Sequence, residues 1–145
     1  MTKSSNASNP TTGFLLWRAT NAWQRAQRAT LEPYGLTHVQ FALLAALADA
    51  DARRGLSQSE VSDRSGVDPM TTSQVLRALQ GRGLVAREAS TEDKRAFRVT
   101  ATTEGKAVVK KALPKVEKTD AEFFARAGRG AGPIAAALAD LAGLS

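Results

Sequence analysis

The sequence predicts a mainly α-helical domain carrying one small β-hairpin, with further helices at either end. Three observations predict it. Apolar residues recur at helical spacing over most of the chain, and two helix-start motifs in its middle are separated by a single glycine turn. Directly after them, two short runs of strand character flank a charged stretch, Ser90-Thr91-Glu92-Asp93-Lys94-Arg95-Ala96. At 145 residues the chain fits one domain able to bury a real core. Residues 1–12 are expected to form a disordered polar tail and 13–145 a single domain, with 36–101 as its central module and 13–34 and 104–145 as flanking helices.

Each element has its own reason. Phe14 to Leu31 sets Leu15, Leu16, Ala19, Ala22, Trp23 and Ala26 at helical spacing against Arg18, Arg25 and Arg28, and Glu32-Pro33-Tyr34-Gly35 ends that amphipathic helix. Thr37-His38-Val39-Gln40 has the form of a capping box, in which each side chain satisfies an orphan backbone donor. The helix it opens, Val39 to Ala48, is apolar nearly all round and should be the buried centre. After a polar link, Ser57-Gln58-Ser59-Glu60 is a second capping box for a short helix to about Ser65. Gly66 supplies a left-handed turn residue, and Asp68-Pro69 gives an N-cap followed by proline at the first helical position, where its missing N–H costs nothing. This next helix runs from Met70 to Gln80, and Gly81-Arg82-Gly83 stops it.

Leu84 to Ala89 and Phe97 to Ala101 are the candidate strands, the second alternating Phe97 and Val99 with Arg98 and Thr100. Thr102 or Thr103 can cap a long helix from Glu104 to about Ala127, which Pro114 should kink without ending it. Gly128 to Pro133 is a break, and Ile134 to Leu144 a short Ala/Leu helix.

Composition narrows function. The chain has no cysteine and one histidine, so disulfides and thiolate zinc sites are excluded, and no metal or other cofactor is expected. No apolar run approaches the roughly 20 residues that span a bilayer, and the polar N-terminus lacks the apolar core of a secretory signal. A cytoplasmic protein without a membrane partner is the expectation. An enzyme finds little support, since no glycine loop is placed to cradle phosphate and His38 has no nucleophile at any motif spacing. Charge is the more telling feature. Arg53 to Lys115 holds 13 basic and 7 acidic residues, the entire +6 excess of the chain, while the remainder carries 7 of each. That segregation is expected of one central module that meets a polyanion.

Two short helices joined by a glycine turn and followed by a hairpin make a winged helix-turn-helix. Gly35-Leu36-Thr37-His38-Val39-Gln40-Phe41, Leu56-Ser57-Gln58-Ser59-Glu60, Asp68-Pro69-Met70-Thr71-Thr72-Ser73-Gln74-Val75-Leu76-Arg77-Ala78-Leu79, Gly83-Leu84-Val85, Asp93-Lys94-Arg95 and Thr102-Thr103-Glu104-Gly105 occur in the order of the MarR family of transcriptional regulators, which the chain resembles from about Phe14 to Phe124. The second helix of such a unit reads base edges in the major groove. Gln74 suits adenine and Arg77 guanine, while Thr71, Thr72 and Ser73 suit phosphate or a thymine methyl.

The resemblance implies more. In the hairpin tip it assigns Arg95 to the minor groove, Asp93 to holding that guanidinium, and Lys94 to phosphate. It implies a homodimer joined through the terminal helices, hence a pseudo-palindromic double-stranded DNA operator, with repression the commonest outcome. Many relatives also hold a small aromatic or anionic effector. To such a pocket Trp17, Trp23, Tyr34, His38, Phe41 and Arg18 could contribute, with Trp17, Arg18, His38 and Phe41 the candidates chosen. Two rival readings, a winged-helix protein-interaction module and a nonspecific architectural DNA binder, explain respectively neither the segregated charge nor the polar set on the second helix.

Overall fold

The computed structural model describes residues 9–49, 54–89, 97–128 and 130–144. In chain order they form α1 (Thr12–Leu31), a 3-10 turn (Glu32–Tyr34), α2 (His38–Ala48), β1 (Leu56–Ser57), α3 (Gln58–Ser65), α4 (Pro69–Gly81), β2 (Val85–Ala89), β3 (Phe97–Ala101), α5 (Thr103–Ala125) and α6 (Ala131–Ala142). The mainly helical class with a small hairpin holds, and α1 begins at Thr12, inside the stretch expected to be tail.

The helix starts form as their side chains dictate. The Thr37 hydroxyl accepts the Gln40 N–H at 3.2 Å while the Gln40 amide oxygen accepts the Thr37 N–H at 3.0 Å. Ser57 and Glu60 repeat the exchange at 3.1 and 2.9 Å at the head of α3. Gly66 then adopts φ +74°, a conformation that favours glycine, and donates its N–H to the Ser62 carbonyl at 2.9 Å. Asp68 caps α4, accepting the Thr71 N–H at 2.8 Å.

The sheet has three strands where the sequence suggested two. Its order is β1-β3-β2, antiparallel throughout, with Leu56 opposite Val99 and Val85 opposite Ala101. The added strand β1 is only two residues long, too short to show any alternation.

The chain divides into two compact units, one taking in the chain to Thr30 and from Val116 onward, the other Leu31–Lys115. In the Leu31–Lys115 unit, α2 is buried as expected: Leu43, Leu44 and Leu47 are buried, as are Val61, Leu76, Leu79, Val85, Val99 and Val109, which complete the core. At the wing base, Thr102 donates its N–H to Leu84 O at 3.0 Å and its hydroxyl to Gly83 O at 2.7 Å, while that hydroxyl accepts the Gly105 N–H at 3.0 Å. Thr102 is thus the cap of α5 and ties its start to the start of β2.

In the other unit, α1 lies against the second half of α5 along a polar seam. Trp23 Nε1 donates to Asp120 Oδ1 at 2.8 Å, Gln27 Nε2 to Val116 O at 3.3 Å, and the Thr30 and Thr119 hydroxyls share a bond of 2.6 Å. Gln27 is fully buried there. The helix α5 runs on through Pro114, one residue before the boundary between the units, so that proline does not end it.

Candidate nucleic-acid interface

Helices α3 and α4 form the helix-turn-helix, and the turn between them is locked by side chains. Ser62 and Thr72 both donate their hydroxyls to the Val67 carbonyl, the second at 3.3 Å, and the Ser65 hydroxyl accepts the Val67 N–H at 3.2 Å. Thr72 is fully buried. That corrects its assignment as a DNA contact: it lies on the buried face it shares with Leu76 and Leu79, and its hydroxyl is spent on the turn.

The opposite face of α4 is polar and open. Gln74 and Arg77 are exposed and Ser73 is half-buried, and none of the three has a hydrogen bond or ion pair within the fold among the described residues. Thr71 is half-buried and differs from them. Its hydroxyl donates to Asp68 Oδ2 at 2.7 Å, so it retains only acceptor capacity. The Thr71 N–H, followed by that hydroxyl, holds the Asp68 carboxyl below its ordinary range, keeping a negative charge at the positive end of the α4 dipole.

Asp93, Lys94 and Arg95 lie outside the described residues. The base of their hairpin is described and is anchored by arginines. Arg98 on β3 donates from Nη1 to Glu60 Oε1 at 3.0 Å and to the Gly55 carbonyl at 3.1 Å, joining the wing strand to the capping box of α3. Arg87 on β2 donates from Nη2 to Gln58 Oε1 at 3.1 Å. Glu60 is held below the ordinary carboxylate range mainly by the Ser57 N–H, with the Ser57 hydroxyl and the charges of Arg98 and Arg64 adding to it. The segregated positive charge thus includes residues that fasten the wing as well as residues free for a polyanion.

Neither arginine anchor was singled out from the sequence, and the reason is distance. Arg98 and Glu60 are 38 residues apart. A third side chain that composition did not flag is Met70, which stands 73% exposed in the first turn of α4.

The candidate effector contacts divide between the units. Trp17 and Arg18 are exposed on α1, where the Trp17 ring lies 5.9 Å from that of Phe14. In the Leu31–Lys115 unit, His38 is half-buried at the start of α2 and Phe41 is buried in the core. An apolar cavity of about 300 Å³ in the unit of the terminal helices is lined by Leu16, Trp23, Phe123, Phe124, Ile134 and Leu138 among others, and by none of those four. Among the described residues no helix is long and apolar enough to cross a membrane.

Residues 34–96 match the MarR family profile. The uncharacterized HTH-type transcriptional regulator YdcH of Bacillus subtilis is 40% identical over 120 residues, 82% of each chain. The HTH-type transcriptional repressor Rv2887 of Mycobacterium tuberculosis is 36% identical over 114 residues, 79% of this chain and 80% of that one. Its crystal structure in complex with salicylic acid aligns at a TM-score of 0.64 and 35% identity, covering 83% of this chain and 87% of that one. The M. tuberculosis regulator MosR, solved in complex with DNA, aligns at a TM-score of 0.79 and 28% identity, over 92% of this chain and 94% of that one. Likeness in sequence across four fifths of the chain, joined to a capped helix-turn-helix with a three-stranded wing base, places this chain in the MarR family of DNA-binding, HTH-type transcriptional regulators.

Proposed function

We propose that the protein is a cytoplasmic repressor that binds a pseudo-palindromic operator as a homodimer, acting by binding and not by catalysis. The carrying observation is the split of α4 into a core face of Thr72, Leu76 and Leu79 and an open face holding Ser73, Gln74 and Arg77, whose side chains have no partner among the described residues. Such a helix meets the major groove with its hydrogen-bonding capacity intact. Arg95 enters the neighbouring minor groove, positioned by Asp93, while Lys94 contacts phosphate. That MosR was solved with DNA supports this reading.

The homodimer is supported by the surface of the terminal helices. Phe14, Leu15, Leu16 and Trp17 on α1 and Leu138 and Leu141 on α6 are all exposed, Leu141 by 77%. Apolar side chains concentrated on helices in this way mark a partner surface. The salicylic acid complex of Rv2887 supports release by a small aromatic anion.

Selection of binding sites from random duplexes, followed by affinity measurements against salt, tests the proposal. An enriched palindrome and a steep fall of log affinity with log salt are expected. Binding without an enriched site would refute the operator, and a flat salt slope would refute phosphate contact.

A further inference from the structure

A lone exposed methionine on a protein surface means little. Met70 is not placed at random. At about 3.6 residues per turn, Met70, Gln74, Arg77 and Gly81 fall on one strip of α4, directly opposite the buried Thr72, Leu76 and Leu79. Met70 is the most exposed large apolar side chain among the described residues of the Leu31–Lys115 unit, at 73%. It therefore sits on the outermost line of the reading helix and at its N-terminal end, the part that reaches deepest into a groove.

Its neighbours restrict what that end can read. The Thr71 hydroxyl is donated to Asp68 and the Thr72 hydroxyl to the Val67 carbonyl. No side-chain donor of the first turn is left over for a base edge, and the group projecting farthest is a flexible thioether. In the major groove every base edge offers a donor or an acceptor, and the one alkyl group among them is the C5-methyl of thymine, which stands beside its O4 acceptor. A methionine can lose water favourably only against that methyl, and its unbranched, polarizable chain adapts to the contact. We infer that Met70 is a specificity determinant of the operator half-site, selecting thymine through its 5-methyl group, one step along the helix from the bases met by Gln74 and Arg77. This inference rests on the operator reading above and adds to it the identity of one base.

The test uses the full chain and the palindrome recovered by site selection. Each thymine of the half-site is replaced in turn by deoxyuridine, symmetrically in both half-sites, and Kd is measured for the wild type, Met70→Ala and Met70→Leu. One position should lose about fourfold per methyl removed, roughly fifteenfold for the symmetric pair. Met70→Ala should bind thymine and deoxyuridine operators equally, whereas Met70→Leu, still apolar, should keep most of the preference. If the wild type binds its palindrome but is indifferent to every replacement, or if Met70→Ala keeps the wild-type preference, the assignment of Met70 is overturned while the operator stands. If no palindrome is recovered, the operator reading falls and the assignment falls with it.

Discussion

Replacing Gly105 with alanine should destabilise this protein, although the same exchange inside an open helix stabilises one. Gly105 lies in the first turn of α5 and is buried. A Cβ there would fall on the Leu84 carbonyl oxygen and stand 3.1 Å from Leu44 Cδ1. The leucine methyl can give way, but the carbonyl is backbone and is already held by the Thr102 N–H at 3.0 Å. Alanine gains about 1 kcal/mol of helix propensity over glycine. Overpacking against a fixed neighbour costs typically about 1–3 kcal/mol, and displacing a backbone carbonyl belongs at the upper end.

The net expectation is a loss of about 2 kcal/mol. Gly81 is the internal control: it is the last residue of α4, and an added Cβ there meets no heavy atom within 4 Å. Gly81→Ala should therefore gain stability, by up to about 1 kcal/mol. Urea denaturation followed by far-UV circular dichroism measures both, at one protein concentration because a dimer's stability depends on it. A Gly105→Ala protein as stable as the wild type would refute the close seating of α5 on the wing base.

Thr72→Val should cost about 1 kcal/mol through the lost bond to Val67 O and leave operator preference unchanged, while Gln74→Ala should relax preference at one base pair with little effect on stability; site selection with each variant separates the two. Glu60 and Asp68 titrate below their ordinary values in the folded state, so the stability they contribute is complete above about pH 4.5 and is lost as pH falls through their lowered values. Thermal melts from pH 7 to pH 3 should show that loss at the acid end only, reduced in Glu60→Gln and Asp68→Asn; a decline centred near pH 6 would contradict it. Leu141→Asp should convert the dimer to monomer in sedimentation velocity without changing helix content, and an unchanged dimer would exclude α6 from the interface.

What was legible in the sequence was whatever local chemistry decides. Both capping boxes, the Gly66 turn and the Asp68-Pro69 start were readable because donor and acceptor lie within four residues of each other. The helix α4 was placed to within two residues at either end for the same reason. The burial of Thr72 is legible in the helical spacing that sets it four residues before Leu76, yet its residue type suggested a DNA contact. The strand β1 was hidden because two residues have no period. Thr102 was legible as a cap of α5, but its bonds to Leu84 and Gly83 were not, and Arg98 and Arg82 were hidden because their partners are set by the tertiary fold; Arg82, for one, donates to the Gly35 carbonyl 47 positions away.

The seam between α1 and α5 has a mechanical meaning. Two helices joined by leucines alone can slide past each other by a turn, about 5.4 Å, and exchange one set of apolar contacts for another at small cost. Here such a slide would break the Trp23–Asp120 and Thr30–Thr119 bonds together and take the fully buried Gln27 amide away from the Val116 carbonyl, that last loss alone costing about 1–3 kcal/mol. The pair is indexed like a toothed rack. Any motion imposed on α1 is handed to the second half of α5 whole, without slippage.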